Sequence, residues 1–305
     1  MAHISPAVVL VAVLATALVT RAVQAQDMEP RAYSAAPIGT NFLLGGYAHT
    51  KGNIATDASL PIENLKAKVD TALVGYVRTF DLAGQSASVA ALLPYNWGTF
   101  TGDVEDENRE VTRTGIGDLR LRFTANLLGG PALSPEEFAR REPGTTLGAS
   151  VSIVAPTGKY EPEHLINIGS NRWAIKPELG VSQPLGNWFA DAAAGVWLYT
   201  DNTQFFSGND RSQGPLWSFQ VHGGYNFLPG LWLAADATYY TGGETSINGT
   251  AKHDPQANSR YGLTLSIPLM DQVSLKLTWS TGLTSRTGAD FDTFGLVLQY
   301  RWFDR

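Results

Sequence analysis

The segment from Phe294 to Phe303 alternates apolar and polar side chains and ends in aromatic residues. A period of two fits a β-strand, because successive side chains of a strand point to opposite faces. One face is apolar or aromatic and the other is small or polar: Phe294, Leu296, Leu298, Tyr300 and Trp302 against Gly295, Gln299 and Arg301. Near the end of a chain, this pattern predicts the closing strand of a transmembrane β-barrel. Taken alone, the segment also fits an edge strand of a soluble sandwich.

The N-terminus has the organisation of a signal peptide. An apolar stretch from Pro6 to Thr20 precedes Arg21 and the small-residue motif Val23-Gln24-Ala25, although the first five residues lack Lys and Arg. The stretch is too short for a membrane-spanning helix, and a short apolar core before such a motif is typical of a secretory leader. We therefore expect residues 1–25 to be a signal peptide that is cleaved after Ala25.

The composition agrees with an exported β protein. The chain has no cysteine, which excludes disulfides, thiol catalysis and cysteine metal sites. Its 31 Gly, 8 Trp, 11 Tyr and 13 Phe accompany alternating segments along the whole mature chain, which favours one all-β domain over two. With 28 acidic against 22 basic residues the chain is acidic overall, and this argues against a nucleic-acid partner.

Twelve alternating segments divide the mature chain. They lie at 41–52, 65–80, 86–94, 115–126, 146–155, 171–183, 187–200, 215–227, 230–241, 259–268, 272–282 and 293–303. Short connections at 81–85, 184–187, 228–230 and 269–272 alternate with long polar ones, as short periplasmic turns and long outer loops do in a membrane barrel. The predicted fold class is all-β: a transmembrane antiparallel up-and-down β-barrel of about twelve strands at 41–303, after a short periplasmic segment at 26–40.

The connection near 126–145 breaks this rule, because it is long on the side of the short turns. Within it, the motif Ser134-Pro135-Glu136-Glu137 has a helix-capping Ser and a Glu three residues later. We expect a periplasmic insertion that contains a short helix.

The phase of each strand predicts which charged side chains face the lumen. The basic set is Lys66, Lys68, Arg78, Arg120, Arg122, Arg172, Lys176, Arg260, Lys276 and Arg301, and the acidic set is Asp70, Asp118, Glu178, Asp191 and Asp236. The excess of bases predicts a basic lumen below an acidic outer loop at 103–110. The strand at 187–200 stays ambiguous, because an inward Asp191 also places Trp197 and Tyr199 in the lumen. In the alternative interpretation, the lumen charges only pair with one another and have no role in transport.

Four motifs carry a resemblance to a known family. They are Gly115-Ile116-Gly117-Asp118-Leu119-Arg120-Leu121, Val154-Ala155-Pro156-Thr157-Gly158-Lys159-Tyr160, Asn167-Ile168-Gly169-Ser170-Asn171-Arg172-Trp173 and Tyr240-Thr241-Gly242-Gly243. Over most of the mature chain, the sequence resembles the outer-membrane transporter family named for the MetA (meta-cleavage) pathway of phenol degradation. The resemblance implies a barrel that admits hydrophobic or aromatic small molecules, as channels for fatty acids and aromatic hydrocarbons do. Those long-chain channels carry an extended N-terminal hatch, whereas the segment before the first strand here has room for a small plug at most.

Uptake of such a solute predicts two sets of residues. The lumen-lining path is Arg78, Asp118, Arg120, Arg122, Lys176, Glu178, Gln220, His222, Asp236, Arg260, Lys276 and Arg301, and the loop aromatics are Tyr95, Trp97, Phe100, Tyr199, Phe205 and Phe206. Loop aromatics stack apolar rings, but the same residue types at strand ends also form the interfacial girdle. In a bacterial outer membrane, the expected partners are membrane lipid, lipopolysaccharide, the barrel assembly machinery through the C-terminal strand, and a hydrophobic or aromatic small molecule.

Two other classes of function are compatible with a β-barrel. An outer-membrane enzyme needs a nucleophile beside a histidine, and His49, His164, His222 and His253 show no such spacing to a serine, so we expect no catalytic, metal or cofactor site. A closed structural or surface-interaction barrel without transport is the main alternative. Twelve strands lie between small barrels filled by side chains and wide channels, so strand number does not decide between them.

Overall fold

The computed structural model describes residues 28–55, 62–104, 107–284 and 288–304. The signal peptide predicted at residues 1–25 lies outside these ranges. No helix in these ranges is long and apolar enough to cross a membrane. The described residues form β1 (Thr40–Ala55), β2 (Ile62–Leu82), β3 (Gln85–Val104), β4 (Glu107–Ile116), β5 (Leu119–Leu128), α1 (Pro135–Arg140), β6 (Thr146–Ala155), β7 (Ala174–Leu185), β8 (Trp188–Tyr199), β9 (Asn202–Phe205), β10 (Asn209–Gln213), β11 (Leu216–Leu228), β12 (Leu231–Gly242), β13 (Thr245–Ile247), β14 (Thr250–Ala251), β15 (Gln256–Met270), β16 (Val273–Thr284) and β17 (Gly288–Phe303).

The wall is a closed antiparallel barrel of twelve strands, as the alternating segments predict. β4 and β5 share one position in the wall, because both pair with β3 and are separated only by Gly117 and Asp118. β1 pairs with β2 on one side and with β17 on the other, in a register from Thr40 opposite Phe303 to Ala55 opposite Gly288. The closing strand predicted from the C-terminal alternation is therefore confirmed.

Short turns join the strands at one end, which we call the periplasmic end. Between β2 and β3, Ala83 and Gly84 have φ angles of 52° and 81°. A two-residue hairpin of type I′ needs positive φ at both central positions, and this turn matches the right-handed twist of the strands. The other end, which we call the outer end, carries the long connections. There, β9, β10, β13 and β14 form a separate four-stranded sheet.

The predicted helix of the periplasmic insertion is present as α1. Ser134 is its N-cap and accepts a hydrogen bond from the Glu137 N–H, while the Glu137 carboxylate accepts one from the Ser134 N–H at 2.9 Å. These two bonds form a capping box, which satisfies backbone donors that a helix start leaves open. The hydroxyl of Ser134 also donates to Glu137, and these bonds lower the pKa of the Glu137 carboxyl.

The outer face of the wall is apolar and the inner face is largely polar. On β11, for example, Trp217, Phe219 and Val221 are exposed on the outside, while Gln220 and His222 are buried inside. The ambiguous strand at 187–200 is resolved with Asp191, Trp197 and Tyr199 on the inner side, between outward Trp188 and Leu198. Sequence alternation therefore assigns most of the wall correctly.

β2 is the exception, and the predicted orientation of four of its charged residues is wrong. Its buried inner face carries Leu65, Ala67 and Val69, which pack with other apolar side chains inside the outer end of the barrel. Opposite parity on a strand means opposite faces. Four charged residues of β2 consequently lie on the outer side: Lys66, Lys68, Asp70 and the exposed Arg78.

The N-terminal segment, residues 28–39, lies inside the barrel and not in the periplasm as expected. Residues 36–39 are fastened near the periplasmic end: the Ile38 N–H donates to the Leu133 carbonyl at 2.9 Å, and the Ser86 hydroxyl donates to the Ala36 carbonyl at 2.8 Å. From there the segment extends into the lumen, where Tyr33 is buried. The lumen of the twelve-stranded barrel is thus occupied by residues of the N-terminal segment.

Candidate functional site: the lumen and the N-terminal segment

Tyr33 lies in a notch of the inner wall. Gly148 of β6 and Gly180 of β7 are directly opposite each other, and a methyl group on either glycine would overlap the Tyr33 ring. Glycine at both positions lets the ring lie flat against the strands. The Tyr33 hydroxyl donates to Glu178 Oε1 at 2.8 Å and lies 2.9 Å from the Ser150 hydroxyl. We call these wall residues, together with Arg122, the tyrosine notch.

Glu178 is the centre of the polar network around the notch. Its side chain is only 2% exposed, and it accepts hydrogen bonds from Arg122 at 3.1 Å, from Lys176 at 3.0 Å and from Gln220 at 3.1 Å. A buried carboxylate is costly unless it is paired and hydrogen-bonded, and here both conditions hold. Lys176 also lies 5.2 Å from the centroid of the Trp197 ring, a cation–π distance.

Arg31 holds the middle of the N-terminal segment against the adjoining part of the wall, formed by β8, β11 and β12. Its guanidinium lies 5.0 Å from the Phe189 ring and 5.6 Å from the Trp232 ring. Its backbone N–H donates to the Asp191 carboxylate at 2.8 Å, and its guanidinium donates to the Asn226 side chain at 2.9 Å. Arginine suits this position because it stacks on aromatic faces and still donates hydrogen bonds at its edge.

Two further side-chain contacts hold the segment. Glu29 forms an ion pair with Arg122, which thereby bridges the segment and Glu178. Ser34 and Ser182 have their hydroxyl oxygens 3.0 Å apart. Each of these contacts between residues 28–35 and the wall includes a side chain, whereas residues 36–39 also form backbone–backbone hydrogen bonds with the rest of the chain.

His222 and Asp236 form a second buried pair on the inner wall. His222 Nδ1 lies 2.7 Å from Asp236 Oδ1, and the Thr264 hydroxyl donates to Asp236 Oδ2 at 2.7 Å. Lys276, also on the inner face, lies 5.8 Å from the Trp232 ring. Among the described residues, no group of three or more His, Asp or Glu side chains is arranged to hold a metal ion.

Of the cavities that border the N-terminal segment, two of about 260 and 250 Å³ are both lined by Arg120. The first, nearer the outer end, is lined by Met28, Ala48, Thr50, Val69, Thr71, Arg120, Asp236, Thr264, Thr278, Trp279, Ser280, Phe291 and Thr293. The second is lined mainly by apolar side chains and reaches the notch through Arg122: Glu29, Ala32, Leu44, Val77, Ser88, Ala90, Leu92, Arg120, Leu121, Arg122, Thr124, Ser152, Ile153, Val154 and Trp197.

Asp118 was predicted to line the lumen, but the structure gives it a different environment. It follows the break between β4 and β5, and its carboxylate accepts hydrogen bonds from the Gly158 N–H at 2.8 Å, the Ser170 N–H at 2.8 Å and the Ser170 hydroxyl at 2.6 Å. Three of the four motifs that carry the family resemblance therefore meet at this carboxylate. Asp118 organises the outer loop between β6 and β7.

The predicted loop aromatics do not form one cluster. Tyr95 and Trp97 belong to β3 and are exposed on the outer wall, where Trp97 lies 6.3 Å from the ring of Tyr47. They fit the interfacial girdle, which corrects their assignment to a loop. Phe100 also belongs to β3 and not to a loop, and its side chain is buried, as is that of Phe205 at the end of β9. The remaining two are partly buried: Tyr199, 4.3 Å from the Arg172 guanidinium, and Phe206, after β9.

The remaining predicted lumen residues lie at different depths. Arg260 is buried and donates to the Ser280 hydroxyl at 3.1 Å and to the Phe291 carbonyl at 2.7 Å. Arg301 is on the inner face at the periplasmic end, exposed, and donates to the Asp271 carbonyl at 3.0 Å. Arg78 lies at the same end but on the outer face, where it pairs with Asp304 at 2.6 Å. Its predicted position in the lumen was therefore wrong.

The site residues of the N-terminal segment were not among those predicted from the sequence. Glu29, Arg31 and Tyr33 precede the first strand, so no alternation assigns them to a face. The sequence does contain a signal, because an aromatic residue and two opposite charges lie within the five residues 29–33, shortly after the predicted signal peptide. Such a composition is unnecessary for a solvated linker.

The fold and the occupied lumen define the class of protein: an outer-membrane β-barrel of twelve strands that holds residues 28–35 of its own chain inside. A family model described as "Putative MetA-pathway of phenol degradation" matches residues 48–300. The chain belongs to this family. No curated protein matches the sequence significantly.

Solved structures show the same fold. The COG4313 outer membrane channel from Pseudomonas putida F1 has a TM-score of 0.78 at 24% identity, and the match covers 90% of this chain and 100% of that one. The transport unit of the autotransporter AIDA-I from Escherichia coli gives 0.54 at 8% identity, covering 94% and 95%. The β domain of the Bordetella autotransporter BrkA gives 0.50 at 13% identity, covering 87% and 100%.

Proposed function

We propose that the protein is an outer-membrane channel that admits small hydrophobic or aromatic molecules by passive diffusion, with the N-terminal segment as its gate. The observation that carries this proposal is the occupied lumen. Two cavities border the segment, and one of them has a mainly apolar lining. A barrel needed only as a scaffold does not require an apolar cavity beside its N-terminal segment.

The size of the cavities favours small solutes. Ligand sites for drug-sized molecules usually measure about 300–1,000 Å³, and each cavity here is smaller, at about 260 and 250 Å³. A single aromatic ring is therefore a better match than a long acyl chain. Trp197, Val154 and Leu92 line the second cavity and offer apolar contact to such a ring.

The contacts of the segment suit a gate better than a permanent stopper. Residues 28–35 are held by side chains, each hydrogen bond being worth about 0.5–1.5 kcal/mol net, or about 1.5–3 kcal/mol where a charged group takes part. The wall is closed by continuous strand ladders, such as the sixteen-residue β1 against β17. Release of the segment thus costs far less than opening of the wall.

The partners of this function are part of the same proposal. Outer-membrane lipid and lipopolysaccharide would surround the apolar outer face, and the assembly machinery would recognise β17 through its aromatic end. The Pseudomonas putida structure with the same fold is itself described as an outer membrane channel. This agreement supports the proposal through the fold.

One observation favours a second candidate, the closed barrel without transport. The charges around Glu178 satisfy one another, and buried networks of this kind also serve structure alone. The two candidates differ in whether any solute crosses.

The test is solute uptake by Gram-negative cells that express the protein. Intact cells are needed because apolar solutes cross phospholipid liposomes without a protein. We expect labelled phenol to enter faster than in cells with an unrelated barrel of equal abundance, and a long-chain fatty acid to show no such gain. Equal rates for all solutes in both cells would favour the closed barrel.

A further inference from the structure

We propose that the tyrosine notch is a binding site for phenolic solutes, and that such a solute opens the lumen by replacing the Tyr33 ring. The proposal rests on the proposed function, because it names a solute class for that channel. It follows from the chemistry of the group now in the notch. The side chain of Tyr33 beyond its Cβ is a para-substituted phenol, and the wall is built around it.

The notch recognises three properties of this ring. Gly148 and Gly180 give it a flat seat, since a Cβ on either would collide with the ring. Glu178 Oε1 accepts from the hydroxyl at 2.8 Å. The Arg122 guanidinium lies 5.6 Å from the ring centroid and 3.3 Å from the hydroxyl. A free phenol presents the same flat ring, donor and π-face.

All of these recognising groups belong to the wall, on β5, β6 and β7. The notch therefore persists when the segment leaves. When no hydroxyl occupies the notch, Glu178 loses one hydrogen-bond donor, although its side chain is only 2% exposed. A site built to hydrogen-bond a hydroxyl disfavours an analogue that lacks it, because the buried carboxylate then loses that hydrogen bond and keeps only its bonds from Arg122, Lys176 and Gln220. The notch should thus prefer phenols over plain hydrocarbons.

A solute reaches the notch from the apolar cavity beside it. Arg122 belongs to both, and Ser152, two residues along β6 from Ser150, lines the cavity. An aromatic ring in this cavity lies next to Glu178 and Ser150, the groups that now contact the Tyr33 hydroxyl. Tyr33 competes as a tethered ligand, with an effective concentration on the order of millimolar. The gate would consequently respond to abundant phenols and stay closed at trace levels.

The first experiment measures p-cresol binding to the refolded mature protein in detergent by calorimetry. Tyr33→Ala empties the notch, and we expect it to bind p-cresol at least about tenfold more tightly than the wild type, which must first release its own ring. Toluene, which differs only by the hydroxyl, should bind Tyr33→Ala at least about tenfold more weakly than p-cresol. Circular dichroism and heat-dependent gel mobility show that each variant is folded.

Two glycine-to-alanine substitutions, one inside and one outside the notch, provide a matched test and control. Gly180→Ala in the Tyr33→Ala background fills the ring seat and should abolish p-cresol binding, whereas Gly223→Ala, where an added Cβ meets nothing within 4 Å, should leave it unchanged. Equal binding of toluene and p-cresol would overturn the proposal, as would full binding to the Gly180→Ala variant or no gain in Tyr33→Ala.

The second experiment keeps Tyr33 in place. The chain has no cysteine, so Ser34→Cys with Ser182→Cys, whose hydroxyls lie 3.0 Å apart, reports the seated segment by disulfide formation. Saturating p-cresol should slow cross-linking at least about fivefold and toluene should not, because only the phenol displaces the segment. An unchanged rate with p-cresol contradicts the proposal. Uptake in cells without p-cresol binding would overturn this inference alone, and binding without uptake would overturn the proposed function alone.

Discussion

At the scale of single residues, the hydroxyl of Tyr33 is the contact that most directly holds the gate. Tyr33→Phe removes its donation to Glu178 and its contact with Ser150. A hydrogen bond to a charged group contributes about 1.5–3 kcal/mol, so the open probability should rise roughly tenfold or more. Single-channel recording in planar bilayers measures this probability.

The control for that substitution is Tyr239→Phe, which removes a hydroxyl from the exposed outer wall. It should leave the recordings unchanged. If Tyr33→Phe behaves like Tyr239→Phe, the hydroxyl does not hold the segment.

Asp118 carries a second prediction at this scale. Asp118→Ala removes three hydrogen-bond acceptances, from the Gly158 N–H and from the N–H and hydroxyl of Ser170. The outer loop at 156–173 should then become susceptible to protease added to intact cells, with cleavage at least about tenfold faster. Asp201→Ala, an exposed carboxylate in the next outer loop, is the control. Equal resistance of both variants would show that Asp118 does not organise the loop.

Residue orientation could be predicted wherever one face of a strand is clearly apolar. The assignment worked on β11, with Trp217 and Phe219 outside, because lipid requires apolar side chains there. It failed on β2 because Leu65 and Val69 are the buried apolar residues, inside the outer end of the barrel. Where a strand also has apolar side chains on its inner face, the assumption that apolar residues face lipid gives the wrong orientation.

At the scale of elements, the N-terminal segment before Thr40 contributes no strand to the barrel wall. Deletion of residues 28–35 should raise ion conductance severalfold, because the deletion empties the lumen. It should leave assembly intact, since β1 begins at Thr40 and keeps its pairs with β2 and β17. Conductance and heat-dependent gel mobility test the two halves of this prediction. Unaltered conductance in a folded barrel would mean that another element closes the lumen.

The closing strand gives the opposite prediction. Trp302 and Phe303 end β17, where they pair with Asn41 and Thr40. Their deletion removes the last part of the β1–β17 ladder and the aromatic end of the strand, so membrane assembly should fall severalfold. Fractionation of outer membranes measures it, with deletion of Asp304 and Arg305 as the control. Normal insertion after loss of the two aromatic residues would count against their role.

Elements were the most predictable level of this molecule. The twelve wall strands and the capped helix follow from periodicity and from capping residues, because membrane and backbone impose both patterns locally. The position of the N-terminal segment could not be derived in this way. It depends on contacts of Tyr33 and Arg31 with residues more than a hundred positions away, and no local pattern encodes them.

At the scale of the whole molecule, the protein is a hollow barrel that carries its own occupant. The strand ladder supplies a stable wall, and the side-chain contacts of residues 28–35 supply an element that can leave without disturbing it. Strand number alone left open whether the lumen is filled or empty. The structure shows a lumen occupied by a part of the chain that is separate from the wall.

The most direct test of this account locks the gate. In cells that express the Ser34→Cys, Ser182→Cys variant, a disulfide joins the N-terminal segment to β7, while single-cysteine variants serve as controls. If the segment is the gate, oxidation should lower labelled phenol uptake to the rate of cells without the protein, and a reductant should restore it. Equal uptake by the locked and reduced barrels would contradict the claim that the N-terminal segment gates the lumen.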